Sequence, residues 1–526
     1  MSSGQQPTPP PRETPAWVYV AGLFLVAALH YTFRYVMAFS ESQTLVYAKQ
    51  FAFPDYIPND WYLSQPQLVR IPYQLVALPI ISFLPLYHAT VVLRLIGYAA
   101  VAGGLGAICH RLKMRATTAW IAFGFFLMIS QSSMPGREWI VLRTESKVFG
   151  YALILFAVHA LMRRRLWEVG LAAGLATTMH ILVGFWASVA LGLVVLVERV
   201  GSWRERLIAT GAWAAAGSFA LYAVFDRITA PKAMLDVDPT DIWVNFRNPH
   251  YTLLSHWGFD EPWTVAVFLS FAAILIGARW TAGNSDGQKL AASFGLATLV
   301  PLGATILAAY TPLGEKVAFY LPFRVADTMV PLFGSILAGH LLYRFALKEQ
   351  AAKWVTGVGL ILLAGASIDD LQVGLEHRRE APLGAMSGSY SKARSLHELC
   401  AFVRERTPPG TLLVTAPDED LINYACERPV IVTFRNVPSS GEGIAEWYRR
   451  LVELNGGEEP RHVGFDAESE ITANFQRLPD SDYVRLGEKY GSRYLLLKRA
   501  TPSDLPRIFD NRHYALYVLG PPETKP

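Results

Sequence analysis

Apolar residues along this chain come in long unbroken blocks, without the alternation that marks a half-buried strand. The blocks run roughly over residues 16–37, 88–110, 116–132, 147–162, 166–179, 182–197, 206–225, 262–279, 289–309, 317–341 and 354–369. A helix that crosses a bilayer needs about 17 to 25 such residues, because no water is there to satisfy an open backbone group. The pattern predicts a polytopic α-helical membrane protein with about 11 transmembrane helices. The apolar stretch 72–87 is broken by Pro72, Pro79 and Pro85, so an interfacial or re-entrant helix is expected there in place of a span.

Basic residues divide the connections into two sets. Arg111, Lys113 and Arg115; Arg163, Arg164 and Arg165; Arg199, Arg204 and Arg206; Arg279 and Lys289; and Arg344, Lys348 and Lys353 fall on alternate loops. The positive-inside rule then puts these loops and the N-terminus in the cytoplasm. The large first loop 38–87, the loops 133–146, 226–261 and 310–316, and everything after about 370 are expected outside. The transmembrane domain is thus 16–372, and 373–390 reads as a linker.

From about Ser391 the pattern becomes that of a soluble domain. Leu396 to Arg406 reads as an amphipathic helix ended by Thr407-Pro408-Pro409-Gly410, and Ile444 to Leu454 as another helix. Leu412 to Thr415, Pro429 to Phe434, Tyr494 to Lys498 and Tyr514 to Leu519 read as strands. Strands alternating with helices predict an extracytoplasmic α/β domain over 391–526.

Composition agrees with a membrane chain: of 526 residues 52% are hydrophobic and only 17% charged, against about a quarter charged in soluble domains. A net charge of +4 gives no reason to expect a nucleic-acid partner. Met1 to Pro15 is rich in Pro, Ser and Gln and reads as a disordered cytoplasmic tail. The block after it is too long for a signal-peptide core and lacks a small-residue cleavage site, so it is expected to be retained. The cysteines Cys109, Cys400 and Cys426 match no metal spacing. Cys400 and Cys426 share the domain on the oxidising side, as a disulfide or as two buried thiols.

Charges inside apolar blocks are costly and need a reason. Arg34 lies near the outer end of the first block and Arg94 about six residues into the second, roughly 9 Å deep at 1.5 Å per residue. Arg324 lies well inside the tenth block, and Arg143 and Lys147 flank the outer mouth of the fourth. Convergent guanidinium and ammonium groups in a partly dry site suit a phosphate or pyrophosphate; the alternative is snorkelling to the headgroups. Asp327, one turn after Arg324, is placed to neutralise it.

Acids cluster outside the same surface: Glu41 just after the first block, Asp55 and Asp60 in the first loop, and Glu145 between Arg143 and Lys147. A carboxylate at a membrane-adjacent cleft can take a proton from an acceptor hydroxyl, and partial burial raises its pKa toward that task. Solvated loop acids and helix caps use the same residues. His180, at an outer turn, and His250, after Asn248-Pro249, are candidates to touch substrate or to brace a neighbouring helix. Asp236, Asp238 and Asp241 offer hard oxygen ligands, so a divalent metal is possible, although Asp-x-Asp strings are common.

Taken together, these features resemble the GT-C superfamily of membrane glycosyltransferases that use polyprenyl-phosphate-linked sugars. The resemblance lies in the cytoplasmic N-terminus, about 11 spans, the large first outer loop with an acid at its start, and the outer C-terminal domain. Glu41-Ser42-Gln43-Thr44-Leu45-Val46-Tyr47-Ala48 is similar to the Asp-Glu-Ala-x-Tyr-Trp-x-Trp-Ala stretch of the protein-mannosyltransferase-like and aminoarabinose-transferase-like members. Ser40 stands where the first, often catalytic, Asp of that motif would be. The chain also resembles a poorly characterised group of bacterial polytopic proteins, through Asn59-Asp60-Trp61, Glu145-Ser146-Lys147, the turn at His180, Pro249-His250, Thr407-Pro408 and Glu446-Trp447-Tyr448-Arg449-Arg450. The Arg-x-x-Thr-Pro-Pro-Gly turn before a strand is similar to one in outer domains of oligosaccharyltransferase-type enzymes.

The resemblance implies a multi-pass protein of the bacterial cytoplasmic membrane that takes sugar from a lipid-linked donor to a glycan, lipid or protein acceptor. Glu41, or Asp60, would be the catalytic base. Arg34, Arg94, Arg143, Glu145, Lys147, His180, His250 and Arg324 would form the substrate and phosphate site. Trp61, Tyr62, Trp243 and Trp263 would be available to stack on sugar faces. Two competing classes are a transporter or flippase and a non-catalytic scaffold for envelope assembly. A carrier calls for an internal repeat and mid-membrane polar groups, which the sequence lacks. A scaffold does not account for arginines inside spans.

Overall fold

A computed structural model of the chain describes residues 14–33, 40–130, 136, 138–229, 235–253, 256–257, 262–283, 285–346, 349–380 and 390–520. Arg34 and nearly all of the N-terminal tail lie outside the described residues.

Each of the apolar blocks carries helix. Among the described residues, five helices are long and apolar enough to cross a membrane: Leu86–Arg111, Pro262–Trp280, Asp286–Ala309, Arg324–Phe345 and Gln350–Asp369. Trp203–Ala216 and Ser218–Asp226 pass together but bend by 59° at their junction. Ala16–Tyr31, Ala116–Ser130, Ser146–Met162 and Ile181–Val197 are shorter apolar helices. Leu166–Met179 is shorter still, with 14 residues. The proline-broken stretch forms the helix Ile71–Ile81, with Pro79 inside it.

The packing of these helices is that of a protein in lipid. Leu25, Phe125, Met128, Leu175, Ile361 and Leu362 are exposed on helix surfaces, where water would drive them inward. Small residues let backbones approach closely. A Cβ on Gly170 would meet the Ala209 carbonyl oxygen at 2.0 Å, and one on Gly184 would meet the Thr177 nitrogen at 2.2 Å. Glu198 ties three helices together at one end of the bundle through Lys289 at 2.6 Å, Arg279 at 2.8 Å and Ser293 at 2.7 Å.

The helix Glu349–Glu380 runs through residues 373–380, the first part of the stretch expected as a linker. After it comes the α/β domain. Tyr390–Arg406 is its first helix, followed by β1 (Leu413–Val414), the helices Gly441–Leu454, Gly464–Phe475 and Asp480–Tyr490, then β2 (Tyr494–Lys498), β3 (Arg507–Asp510) and β4 (Tyr514–Val518). The sheet order is β1-β2-β4-β3, with β1 parallel to β2 and the other pairs antiparallel. The strand expected at Pro429–Phe434 is reduced to a parallel bridge from Val430 to Leu413. Its neighbours Ile431, Val432 and Phe434 are buried as a strand's would be, but they make no further ladder.

Cys400 and Cys426 form a disulfide, while Cys109 is free and buried in the bundle. The bond joins the first helix of the domain to the segment after Ile422–Ala425 across 26 residues. Closing a loop of that size removes denatured-chain entropy worth roughly 3 kcal/mol. Cys400→Ser is expected to lower the melting temperature of the domain, followed by tryptophan fluorescence, and the reduced wild type should melt with the variant. An unchanged melt would remove the bond from the domain's stability.

The domain rests on the loops of the bundle. Leu45, Tyr73, Leu86 and Leu93 share one apolar core with Leu396, Cys400, Ile422 and Leu516. Ile242 and Phe246 share another with Val432, Phe434, Trp447 and Leu495. Gly410, at φ +80, brings its turn against Pro58 and Asn59 of the first long loop, a backbone conformation and a closeness that a side chain would disturb.

Candidate functional site

Where the domain meets the bundle, two charged centres lie on the bundle side. The first is built on Arg94, fully buried about 12 Å along Leu86–Arg111 from its N-terminal end. A guanidinium there needs partners for its fork of donors. Nε and one terminal nitrogen reach the two oxygens of Glu41 at 2.7 and 2.6 Å. The other terminal nitrogen donates to the carbonyls of Tyr31 and Thr32, at 2.7 and 3.3 Å. Glu41 also accepts the Thr144 amide at 2.7 Å, and the Thr144 hydroxyl meets Tyr73 at 2.8 Å. This pair stitches together the end of Ala16–Tyr31, the start of Ser40–Ala52 and the loop before Ser146–Met162.

The second centre surrounds Glu138, a loop acid that sequence reasoning missed. Its buried carboxylate meets Lys147 at 2.7 Å and Arg324 at 3.4 Å. Burial raises its pKa, and Lys147 and Arg324 more than offset that, holding it below the ordinary value. Lys147 also sits over the Trp139 ring at 3.7 Å and lies 4.0 Å from Glu145. Arg324 lies over Tyr251 at 5.4 Å. Arg143, Glu145, His180, Tyr251 and Arg324 are only partly buried, so the centre has an open side. Burial also raises the Glu145 carboxyl, against the pull of Lys147 and Arg143.

Asp327 differs from its expected part as partner of Arg324. It accepts the amides of Gly136 and Glu138 at 3.0 and 2.8 Å, fixing the loop that carries Glu138. The two centres adjoin through Arg143, which feels Glu145, Glu41 and Arg94 together. Arg94, Arg143, Glu145, Lys147, His180 and Arg324 therefore gather at one end of the bundle. His180 caps Ile181–Val197 through the Val183 amide at 3.3 Å.

The two expected bases are not open acids. Glu41 is wholly buried with both oxygens held by Arg94. Asp60 is buried against the α/β domain, accepting the Leu63 amide at 2.9 Å and the Asn423 side chain at 2.6 Å. Asp55 is exposed. Burial pushes the Asp60 carboxyl from 3.8 up to about 6, against hydrogen bonds from Leu63 and Asn423. The folded chain then keeps a proton that the unfolded chain releases, so stability falls as pH rises from 3.8 to about 6 and is level above. Wild type is expected to lose melting temperature across that window, and Asp60→Asn to lose less. Parallel melting curves from pH 4 to 7 would refute this.

His250 packs at a tilt between Tyr251 and Phe465, with ring centres 4.3 and 4.8 Å away, and so braces the domain. Of the aromatic candidates, Trp61 lies beneath Arg450 at 4.2 Å, Tyr62 receives Gln43 at 2.7 Å, Trp243 stands against Phe319, and Trp263 is exposed. The acids considered for a metal are used singly: Asp236 pairs with Arg449 at 2.9 Å, Asp238 caps Thr240 at 2.8 Å, and Asp241 accepts Asn245 at 2.6 Å. Among the described residues no three His, Cys, Asp or Glu side chains group as metal ligands would. The motif at Glu446 to Arg450 is also interfacial: Trp447 and Tyr448 pack on Phe246, and Arg450 on Trp61.

Comparison with solved structures places the fold. ArnT from Cupriavidus metallidurans, in its apo state, superposes over 96% of this chain and 99% of its own, with a TM-score of 0.50 and 14% identity. ArnT is a GT-C glycosyltransferase, a 4-amino-4-deoxy-L-arabinose transferase. The chain shares the fold of that protein. At this identity the likeness concerns the fold, which here joins a helical membrane bundle to the α/β domain. One family description, a domain of unknown function (DUF6798), matches residues 394–454 of that domain. No curated protein sequence matches the chain significantly.

Proposed function

We propose that this chain is a membrane glycosyltransferase that moves a sugar from a polyprenyl-phosphate-linked donor to an envelope acceptor at the outer face of the bacterial cytoplasmic membrane. The observation that carries the reading is the partly open Lys147–Arg324–Glu138 centre, with Arg143 beside it, at the domain-facing end of a GT-C-like bundle. Cations held in place by buried acids cost no reorganisation when negative charge grows on a leaving phosphate. The activity of ArnT supports transfer chemistry in this fold.

In this reading the eleven apolar blocks all span, with the N-terminus in the cytoplasm and the α/β domain outside. The alternating basic loops support it, and so does a disulfide in that domain, since such bonds persist on the oxidising side. The prenyl chain lies in the bilayer between helices, and the donor phosphate lies against Lys147, Arg324 and Arg143. The bond from the anomeric carbon to the phosphate oxygen breaks with its electrons going to the phosphate. The acceptor oxygen bonds to the same carbon from the opposite side. Its proton goes to a carboxylate.

Glu145 suits that last step best. Its side chain is 18% exposed, its pKa is raised, and its nearest cation is 4.0 Å away. Glu41 and Asp60 then act by holding the site together, through Arg94 and through Asn423. The test is the full chain in nanodiscs, given a synthetic polyprenyl phosphate sugar. Retention of the lipid by mass spectrometry and release of its sugar to a membrane acceptor are the expected results. Movement of the lipid across a vesicle wall with its sugar intact would make the protein a flippase instead. No retention and no transfer would overturn the reading.

A further inference from the structure

The chain leaves β1 at Val414 and turns through Asp418, Glu419 and Asp420, while the parallel segment at Val430 runs on to Asn436. In open α/β sheets the crevice beyond the carboxyl ends of parallel strands is where ligands bind. Here that edge faces the first long loop. A narrow cleft lies between them, lined by Ser42, Gln43 and Tyr62 on one side and Asp420, Asn423 and Asn436 on the other. Gln43 bridges the walls, donating to the Tyr62 hydroxyl at 2.7 Å and the Arg435 carbonyl at 3.2 Å. The cleft as a whole has room for about one water-sized group.

Two acceptors in this cleft lack a hydrogen-bond donor. Asp420 Oδ1 and Asn423 Oδ1 have no partner, and their residues are only 6% and 5% exposed. Buried acceptors left so are costly, and such groups are kept for a purpose. Charge narrows the choice of ligand. Asp420 lies 3.0 Å from the Arg435 guanidinium, which also meets Glu468 at 3.2 Å, and Arg247 packs on the adjacent Phe434 ring at 4.8 Å. Asp420 and Glu468 thus face two guanidinium groups, and Asp418 beside them pairs with Lys498 at 3.1 Å. The balance leaves no excess negative charge for an ammonium ion, and a neutral donor fits.

We propose that this cleft takes a hydroxyl group of a saccharide acceptor, which donates to the side-chain oxygens of Asp420 and Asn423. The inference rests on the transfer reading above and gives the α/β domain its part in it. Ser42 adjoins Glu41 in sequence, so the cleft lies beside the Glu41–Arg94 pair. Arg247 and Tyr251 lie between Asp420 and the Arg324 centre, each feeling charges on its own side.

The experiment uses the full chain in nanodiscs, a radiolabelled polyprenyl phosphate sugar, and the glycolipid fraction of the native membrane as acceptor pool. Asp420→Ala and Asn423→Leu are expected to raise the KM for acceptor about 10- to 100-fold, with donor retention unchanged. Asp420→Asn, which keeps an acceptor oxygen, should recover most of the loss. Ser42→Val narrows the cleft from the opposite wall without touching the Arg435 pair and should act like Asp420→Ala; it decides the matter if the latter does not fold. Wild-type acceptor KM in both Asp420→Ala and Ser42→Val, with donor still bound, would assign the cleft to a buried water and overturn the inference alone. Failure of the wild type to bind donor would overturn the transfer reading and this one with it.

Discussion

Arg94→Met is expected to lower the stability of the folded chain by about 3–5 kcal/mol, because it strands the fully buried Glu41 carboxylate without its countercharge. Glu41→Leu should do as much by stranding the guanidinium. Breaking a buried pair from one side leaves an uncompensated charge, whereas removing both charges leaves an apolar gap of similar shape. The double variant, Glu41→Leu with Arg94→Met, should therefore melt well above either single variant. Thermal unfolding in detergent measures all three. Additive losses in the double variant would mean that the two side chains act separately, against their bidentate contact.

The second large effect belongs to the Glu138 centre. Arg324→Gln removes a charge that faces the open side of the site and is expected to weaken retention of polyprenyl phosphate about 10- to 100-fold, with Arg324→Lys intermediate. Lysine restores the charge without the planar fork, so an intermediate value separates electrostatic attraction from paired hydrogen bonding. Lys147→Ala should weaken retention as well, and it should also destabilise the protein, since Glu138 then keeps a single cation. Titration of each variant with the lipid, read by native mass spectrometry, gives the comparison. Equal retention by wild type and Arg324→Gln would take this arginine out of donor binding.

Much of this is legible in the sequence itself. Apolar blocks long enough for a bilayer cannot be mistaken for strands, and the helices at Leu86–Arg111 and Pro262–Trp280 fall where hydropathy puts them. The cations Arg94, Lys147 and Arg324 stood out because lipid makes a charge conspicuous. Their partners did not. Glu138 lies in a polar loop, where an acid looks solvated, and only the fold brings it under Arg324. Glu41 was visible as an acid beside the membrane, but not that Arg94, on another helix, occupies both its oxygens.

In the α/β domain, Tyr494–Lys498 reads directly as a strand because Leu495 to Leu497 are buried without interruption. Gly464–Phe475 and Asp480–Tyr490 were missed: their apolar faces are short and interleaved with Asp and Glu, so local composition reads as loop until the core beneath them is known. The acids from Asp236 to Asp241 are a different case. Spacing made them a candidate cluster, and backbone capping and ion pairs disperse them.

The shared cores between the first long loop and the C-terminal domain have a consequence for how this chain can be divided. Leu45, Tyr73 and Leu86 are covered by Leu396, Ile422 and Leu516, so a cut near residue 390 would bare a greasy floor on one fragment and a greasy ceiling on the other. Neither half is a module in the sense of a part that can be lifted out and grafted. Any chimaera that exchanges the domain must carry residues 40–93 along with it.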